Sequence, residues 1–382
     1  MIGADMATQR FTAPDPLLDA FYSQLSEHSL QPLWELSGLL TSQPRVAGVP
    51  AHWPGRTLKA LAERAGELVP VDRGGDRRVL ACCNPGLGGA PYAVSTLWAA
   101  VQYLRGHEVA PAHRHTPAAL RFIVAGEGVW TLVDGDPLHM GTGDLILTPS
   151  WTFHEHHNPT GDPMIWLDVL DLPVVSALDA VFFEEGPSEQ PDTRVAERSA
   201  SEAFFGGGPG LVPVDAPGTS ARRSPLLAYR WRDTDRALDA LLDTSGGTHA
   251  FLRYSDPVHG GDVLPTMRCE IMRVRAGHSS DLVRQTGGRV LCVLHGDGEV
   301  AVGSQRYPLA PGDVVAVPSW TAWSLRASDE LDVFSTSDAP VLEALDLMRT
   351  ENLSRTAGGI PSAVSTHDAT MRPTTARIGS RG

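Results

Sequence analysis

Three histidines in the first half of the chain have the spacing of metal ligands. His113 and His115 are separated by one residue, and His154 follows some forty residues later. Side chains on a β-strand alternate between its two faces, so both imidazoles of the pair would lie on one face. A third histidine from a later strand can complete a triangle of nitrogen donors. Three neutral imidazoles with open positions opposite them suit a divalent first-row metal that must also bind substrate.

Two further polar residues have the spacing to share these faces. Arg121 lies six residues beyond His115, an even spacing that on a continuous strand places it on the ligand face. A buried guanidinium needs an anion, and its fork suits a carboxylate bidentately. A structural ion pair is the alternative for Arg121. His156 lies two residues after His154 and shares its face, but a fourth ligand there would fill a position that the substrate needs.

The composition favours a two-domain protein built of strands and turns. The chain has 382 residues, 42% of them hydrophobic, with 38 Gly and 30 Pro, which suits two domains of ordinary size. The net charge of −14 argues against nucleic-acid binding, which depends on Lys and Arg. The four cysteines show no paired spacing, and no apolar run is long enough to span a membrane. We therefore expect a soluble, cytoplasmic protein with reduced thiols and no signal peptide, bound to neither nucleic acid nor membrane.

Five segments are predicted along the chain. They are a helical arm (1–75), a metal-binding barrel (76–183), a linker and helix (184–249), a second barrel (250–348) and a disordered tail (349–382). Apolar alternation between turn signals predicts small antiparallel jelly rolls. Gly126-Glu127-Gly128 and Asp134-Gly135-Asp136 are expected to mark hairpins. Thr234 is a plausible N-cap of the helix in the linker.

An internal duplication supports a mostly β fold with two similar barrels. The pattern from Gly143-Asp144 to Pro149-Ser150-Trp151 recurs from Gly312-Asp313 to Pro318-Ser319-Trp320. The second copy lacks the histidines, since Val283-Arg284-Gln285 stands in place of the His-x-His pair. We therefore expect the second barrel to be structural and free of metal.

The histidine segments resemble the two cupin motifs. The matching residues are Gly106, His113, His115, Gly126, Gly143, Pro149, His154 and Asn158. Leu120 and Arg121 stand where the first motif usually has Glu. The stretches PAHRHTPAALRF and TPSWTFHEHHN are similar to the gentisate 1,2-dioxygenase family, which includes salicylate and 1-hydroxy-2-naphthoate dioxygenases, and the resemblance covers about residues 32–348. It implies a bicupin of two double-stranded β-helix barrels, with Fe(II) on the three histidines and a homo-oligomeric assembly, tetramer or dimer.

The resemblance also implies an activity. Members of the family are extradiol-type ring-cleaving dioxygenases, which use O2 to open the ring of a hydroxylated aromatic acid between the carboxyl-bearing carbon and the adjacent hydroxyl-bearing carbon. Gentisate is the leading substrate, and salicylate or 1-hydroxy-2-naphthoate are the variants. A cupin isomerase, a decarboxylase and an aromatic-acid-binding protein are the alternatives. The missing Glu counts against the first two, and the intact set of histidines counts against the third.

The resemblance assigns roles to residues around the histidines. Arg121 and His156 are the expected catalytic residues, with His156 as an acid or base on the oxygen side. The expected substrate-binding residues are Arg77, Trp98, Ala100, Gln102, Arg121 and Asp168. Arg77, Trp98 and Gln102 could instead be ordinary barrel packing, and Asp168 could pair with Arg77. The family has Gly or Ala at the position of Ala100, where a methyl group narrows the pocket.

Three departures from the family pattern lie beside His156. Glu155 stands where Asp is usual, His157 stands where Gly is usual, and Phe153 replaces a frequent Trp. Because they alternate with His154 and His156, we expect His157 on the other face of the strand, at the solvent side or in a structural role.

Overall fold

The computed structural model describes residues 15–70, 78–186, 199–208, 211, 213 and 223–356, and the chain divides into two compact units, Met1–Arg45 and Val46–Gly382. In the first unit, α1 (Pro16–Glu27) begins after Asp15, whose carboxylate accepts hydrogen bonds from the N–H groups of Leu17 and Leu18. This cap satisfies N–H groups that have no partner inside the helix. A short 3-10 helix (Leu33–Glu35) is held to α1 by a hydrogen bond from Tyr22 to Glu35.

The second unit begins with β1 (Ala51–Trp53) and α2 (Gly55–Leu68), and a first barrel follows. Its elements are β2 (Val79–Ala81), β3 (Trp98–Leu104), β4 (Val109–His115), β5 (Ala119–Ala125), β6 (Glu127–Val133), β7 (Asp136–Gly141), β8 (Leu145–Thr148), β9 (His154–His157), β10 (Met164–Leu170), α3 (Leu172–Ala177), β11 (Phe183–Glu185), α4 (Ala200–Phe205) and β12 (Ala228–Tyr229). The strands form a six-stranded sheet, β12-β8-β5-β10-β3-β2, and a five-stranded sheet, β11-β4-β9-β6-β7.

A second barrel repeats this arrangement. Its elements are α5 (Trp231–Ser245), β13 (His249–Arg253), β14 (Arg268–Val274), β15 (Val283–Gln285), β16 (Arg289–His295), β17 (Gly298–Val302), β18 (Gln305–Leu309), β19 (Val314–Val317), β20 (Trp323–Ala327), β21 (Leu331–Ser337), α6 (Ala339–Ala344), β22 (Thr350–Asn352) and α7 (Leu353–Thr356). The sheets are β1-β19-β16-β21-β14-β13 and β18-β17-β20-β15-β22. The predicted fold, mostly β with two jelly-roll barrels, is confirmed. Among the described residues, no helix is long and apolar enough to cross a membrane.

Each barrel encloses an apolar cluster between its two sheets, and a third cluster joins the barrels. The inner cluster of the first barrel includes Ile123 from the six-stranded sheet and Val129 from the five-stranded sheet. The outer faces of the two six-stranded sheets pack against each other, and there Phe122 stacks on Phe334 with ring centroids 4.2 Å apart. The six-stranded sheet of the first barrel is therefore buried on both faces, which explains why β3, β5 and β10 carry so few exposed residues.

The segment that precedes each barrel pairs with the other barrel. β1 precedes the first barrel but pairs with β19 of the second, while β12 precedes the second barrel but pairs with β8 of the first. Two equivalent aspartates fix these exchanges. Asp313 accepts hydrogen bonds from the N–H of Gly55 at 2.6 Å, and Asp144 accepts from the N–H of Trp231 at 2.8 Å, at the starts of α2 and α5. Each connecting helix is thus capped by a carboxylate from the other half of the duplication.

Several local predictions were wrong. The expected helical arm contains β1, because pairing with β19 gives this short segment a strand conformation. Thr234 is not the N-cap, because α5 begins three residues earlier, where Asp144 supplies the acceptor. Gly126 joins strands of different sheets instead of closing a hairpin, whereas Asp134 does lie in the turn between β6 and β7.

The second barrel also extends beyond its predicted end at residue 348. Thr350–Asn352 pairs with β15, and α7 follows it. The remainder of the predicted tail, 357–382, lies outside the described residues.

The interface between the barrels gives a stability prediction. Phe334→Ala should cost about 3–5 kcal/mol of unfolding free energy, because it removes a fully buried ring from a core that both barrels share. Phe251→Ala is the matched control, since this ring on β13 is 43% exposed and its loss should change stability little. Urea unfolding followed by tryptophan fluorescence measures both. Equal effects of the two substitutions would contradict the shared core.

Candidate metal centre and substrate pocket

The three predicted histidines meet on the inner face of the five-stranded sheet. β4 carries His113 and His115, and β9 places His154 directly opposite His113. One ring nitrogen of each histidine lies within 4.8 Å of those of the other two. The ring centroids of His113 and His115 lie 4.3 Å and 4.9 Å from that of His154. This triangle can hold a metal ion.

Backbone carbonyl groups fix the tautomer of all three rings. Nδ1 lies 3.1 Å from Pro111 O in His113, 2.7 Å from Pro117 O in His115 and 3.1 Å from Thr152 O in His154. A carbonyl oxygen only accepts, so Nδ1 carries the hydrogen and Nε2 keeps its lone pair for a metal.

The electrostatic surroundings keep His154 neutral. Burial, and then the nearby Arg121 guanidinium, lower the pKa of His154 well below its ordinary value. Its buried Nε2 has no hydrogen-bond partner among the described residues. A buried lone pair without a donor is costly in a structural histidine but is what a metal ligand requires. The donor set therefore fits a divalent metal held by three neutral imidazoles.

A buried charge pair faces the histidines from the opposite sheet. Ala100 on β3, Asp168 on β10 and Arg121 on β5 are successive cross-strand partners, so their side chains share one face. Arg121 Nε lies 3.4 Å from Asp168 Oδ1, and Arg121 Nη1 donates a hydrogen bond to the hydroxyl of Thr148. Asp168 therefore pairs with Arg121. The partner considered from the sequence, Arg77, lies outside the described residues.

Burial shifts the titration of both members of this pair. It raises the pKa of Asp168 to about 6, against the opposing effects of Arg121 and of a hydrogen bond from Trp166. Burial also lowers the pKa of Arg121, although a guanidinium stays charged at neutral pH. Arg121 Nε forms no hydrogen bond with any described residue despite its distance to Asp168. Arg121 is thus a fixed buried cation whose hydrogen-bonding capacity is not exhausted by its protein partners.

Strand β3 supplies one wall of the pocket. Trp98, Ala100 and Gln102 alternate along it and share the face of Asp168; Trp98 is half-buried and the other two are buried. Val79 and Ala81 of β2, which were not among the predicted site residues, lie opposite Gln102 and Ala100 and therefore border the same face. Strand alternation is the signal that could have identified them, because it puts Val79 and Ala81 on one face and Leu80 on the other.

His156 lies deeper in the barrel than the metal-binding triangle. It is buried, and its ring centroid lies 6.1 Å from that of His154 and 5.4 Å from that of Trp166. Its Nδ1 lies 2.7 Å from the hydroxyl of Thr131, which donates its own hydrogen to Met140 Sδ at 3.0 Å. In this arrangement the hydroxyl can accept from Nδ1–H, which leaves the lone pair of His156 on Nε2. Burial, and then Arg121, lower the pKa of His156 well below its ordinary value, so the ring is neutral. It is not part of the group of nitrogens that lie within reach of one metal ion.

Two of the departures from the family pattern, Glu155 and His157, lie on the other face of β9. The ring of His157 stacks on Trp130 at 4.0 Å, and its Nε2 lies 3.2 Å from Glu155 Oε2 without hydrogen-bond geometry. Both are directed away from the histidine triangle by strand alternation.

The second barrel fills the equivalent region with different chemistry. By register, Val283 and Trp323 occupy the positions of His113 and His154. Arg289 pairs with Glu270 at 2.6 Å and lies over the Trp323 ring, with Cζ 5.3 Å from its centroid. Within the described ranges, the only cluster of three or more potential metal-binding side chains is the one in the first barrel.

Comparison with known proteins agrees with this arrangement. A cupin domain model matches residues 100–170, the part that carries the histidines. A gentisate 1,2-dioxygenase from a Streptomyces species is 49% identical over 87% of this chain and 95% of its own length, and a 5-aminosalicylate 1,2-dioxygenase from a Comamonas species is 34% identical over 88% and 91%. The crystal structure of salicylate 1,2-dioxygenase from Pseudoaminobacter salicylatoxidans with gentisate superimposes with a TM-score of 0.86 at 44% identity, covering 91% of this chain and 96% of that one. Identity and coverage at this level, together with the two barrels and the histidine triangle, show that this chain belongs to the gentisate and salicylate 1,2-dioxygenase family of bicupin proteins.

Proposed function

We propose that this protein is an Fe(II)-dependent, extradiol-type dioxygenase that cleaves a gentisate-like aromatic acid between its carboxyl-bearing carbon and the adjacent hydroxyl-bearing carbon. The observation that carries the proposal is the pairing of two sites across one barrel. A triangle of histidines on one sheet faces a buried arginine, Arg121, on the other. The family relationship supports the same reaction, since the similar proteins are named for gentisate and for 5-aminosalicylate.

His113, His115 and His154 would hold the iron through Nε2. Because all three ligands are neutral, they leave the metal with its full positive charge and with open positions. When bound, Fe(II) would supply a binding position for the carboxylate and ortho hydroxyl of the substrate and the electrons that activate O2. The carbonyl groups behind each Nδ1 would hold the rings in this orientation.

Arg121 would bind the carboxylate of the substrate. Its guanidinium is buried, is oriented by Thr148 and Asp168, and has hydrogen-bonding capacity left at Nε. An anion held there gains a charge-assisted hydrogen bond in a site of low dielectric constant. Asp168 would orient the guanidinium, while Trp98 and Gln102 would contact the ring from β3. Arg77, which lies outside the described residues, is also proposed to bind the carboxylate of the substrate.

His156 would act on the oxygen side of the reaction. Its neutral ring has Nδ1–H committed to Thr131, so Nε2 can accept a hydrogen bond or a proton from a hydroxyl group that reacts. Its low pKa means that it would return this proton readily. The apolar cluster beneath it, including Ile123 and Met164, excludes water from this end of the barrel.

Ala100 would set the space beside the ring. It is fully buried and lies opposite Asp168, so its methyl group occupies volume next to the proposed carboxylate site. One carbon is worth roughly 1–3 kcal/mol in discrimination between substrates.

Salicylate and 1-hydroxy-2-naphthoate are the second candidate substrates, because they carry the same carboxylate and ortho hydroxyl. The predicted homo-oligomer stays a prediction.

Iron content is the first expectation. Protein reconstituted with Fe(II) without oxygen should contain one iron per chain, because the described part of the chain has one three-histidine group. His113→Ala, His115→Ala and His154→Ala should each abolish both iron and activity. His278→Ala, an exposed histidine of the second barrel, is the control and should keep both. Elemental analysis is the measurement, and two tightly held irons per chain would refute a metal-free second barrel.

The carboxylate site is tested by Arg121→Ala. Loss of one partner of a buried charge pair costs about 2–5 kcal/mol, so kcat/KM for gentisate should fall by roughly 30-fold or more while iron content stays high. Arg289→Ala is the matched control, because it removes an equally buried arginine paired with a carboxylate in the second barrel. It should lower stability but leave kcat/KM unchanged. Normal kinetics in a folded, iron-loaded Arg121→Ala protein would mean that Arg121 is structural.

The substrate prediction concerns which acids are turned over. Gentisate should be the best substrate, because its para hydroxyl donates electron density to the ring that oxygen attacks. Salicylate lacks this donor and should react more slowly, as should 1-hydroxy-2-naphthoate. Benzoate, 3-hydroxybenzoate and 4-hydroxybenzoate should be inert, since they lack the pair of adjacent oxygen donors. Oxygen uptake at saturating Fe(II) measures the series, and catechol as the best substrate would rule out a carboxylate-binding mechanism.

A further inference from the structure

Arg114 lies between two of the proposed metal ligands but is directed to the opposite face of β4. Its Cζ lies 4.4 Å from the ring centroid of Trp151 and 4.4 Å from that of Phe153. Its Nε and Nη2 donate hydrogen bonds to Glu184 Oε2 on β11, at 2.9 Å and 2.5 Å. A single guanidinium is thus packed between two aromatic rings and paired with a carboxylate.

These contacts connect the two segments that carry the histidine triangle. Arg114 stands between His113 and His115 on β4, and Phe153 immediately precedes His154. The N–H of Trp151 donates to the carbonyl oxygen of His115 at 2.9 Å, which joins the same two segments through the backbone. The guanidinium therefore lies where it can fix the position of His154 relative to the other two histidines.

The backbone of the aromatic segment is held in an unfavourable conformation. Trp151 has φ of 62°, in the left-handed region that residues other than glycine seldom adopt. Such a conformation persists only where the surroundings enforce it. The hydrogen bond to His115 and the stacking on Arg114 are the contacts that hold it.

The second barrel supplies an internal comparison. Trp320 has φ of 55° and donates to Gln285 O at 2.7 Å, and Arg284 lies 4.6 Å from its ring and pairs with Glu351. However, Ala322 stands in the place of Phe153, and Trp323 in the place of His154. The arginine of the first barrel thus packs between two rings, Trp151 and Phe153, next to the third histidine. The arginine of the second barrel lacks the equivalent of Phe153, and that barrel also lacks the third histidine.

We propose that Arg114 is a positioning residue for the metal centre, and that its packing between Trp151 and Phe153 sets the metal affinity by fixing His154 against His113 and His115. The inference rests on the proposed function, which makes these histidines the iron ligands. The ion pair alone does not account for the role, because Arg114 and Glu184 are partly exposed, at 27% and 47%, and exposed pairs contribute little. Metal–ligand distances fall within about 0.2 Å of their ordinary values, so a shift of His154 away from the other two histidines should lower affinity.

The test compares Arg114→Met with Arg284→Met. Methionine keeps an unbranched chain against the tryptophan ring but removes the guanidinium, and Arg284 is the matched site in the second barrel. The dissociation constant for Fe(II) is measured without oxygen by competition with a chromogenic chelator, and the d–d spectrum of the Co(II) protein reports the ligand geometry. Arg114→Met should weaken Fe(II) binding about tenfold or more, as loss of outer contacts to metal ligands typically does, and should change the Co(II) spectrum. Arg284→Met should lower the melting temperature of the metal-free protein to a similar extent but leave both metal readouts unchanged.

Phe153→Leu is the second variant, and it carries the test if Arg114→Met does not fold. It retains the Arg114–Glu184 pair but removes one ring of the sandwich, so it should also weaken Fe(II) binding. The double variant, Arg114→Met with Phe153→Leu, should bind Fe(II) no more weakly than whichever single variant binds it more weakly. Both changes remove the same contact between the guanidinium and the Phe153 ring. Unchanged Fe(II) affinity and Co(II) spectrum in Arg114→Met or in a folded Phe153→Leu would overturn the proposal, and so would equal losses in Arg284→Met. A wild-type protein that binds neither metal would instead overturn the proposed function itself.

Discussion

The packing of the two six-stranded sheets against each other is the interaction on which the rest of this structure depends. It covers the outer face of each sheet with apolar side chains, including the stacked pair of Phe122 and Phe334, and leaves the inner face of each barrel to be filled independently. In the first barrel, that inner face carries a charge pair, Arg121 and Asp168, opposite a cluster of three histidines. Charges can be buried there because the sheet beneath them is held rigidly from behind, so the pair keeps its geometry without solvent.

The two barrels share one strand arrangement but differ in the side chains that occupy their interiors. Both barrels have a buried arginine paired with a carboxylate near the same end, Arg121 with Asp168 and Arg289 with Glu270. They differ in what faces this pair. In the second barrel the Trp323 ring lies over the Arg289 guanidinium, with Cζ 5.3 Å from its centroid. In the first barrel the equivalent position is His154, whose Nε2 has no hydrogen-bond partner among the described residues. The two barrels thus differ in the side chain beside the buried pair, which is an imidazole that can bind a metal in the first barrel and an indole ring in the second.

The exchange of connecting segments makes the two barrels one body. β1 and β12 each complete a sheet of the barrel to which they do not belong in sequence, and Asp313 and Asp144 fix the helices that follow. Separation of the barrels would break these strand pairs and expose the shared apolar core together. The second barrel therefore supports the site of the first even though it contributes none of the residues assigned to the site here.

The sequence by itself determined the parts of this protein that depend on local spacing. The period of two along a strand puts His113 with His115, His154 with His156, and Trp98 with Ala100 and Gln102, whatever the rest of the chain does. The duplication likewise predicted two barrels. Only the tertiary structure decided which distant groups meet. Asp168 pairs with Arg121, α5 begins at the carboxylate of Asp144, 87 residues away in sequence, and Arg114 joins the ligand strand to the segment before His154. Partners on different strands are set by sheet register and by the packing of whole faces, which no short stretch of sequence contains.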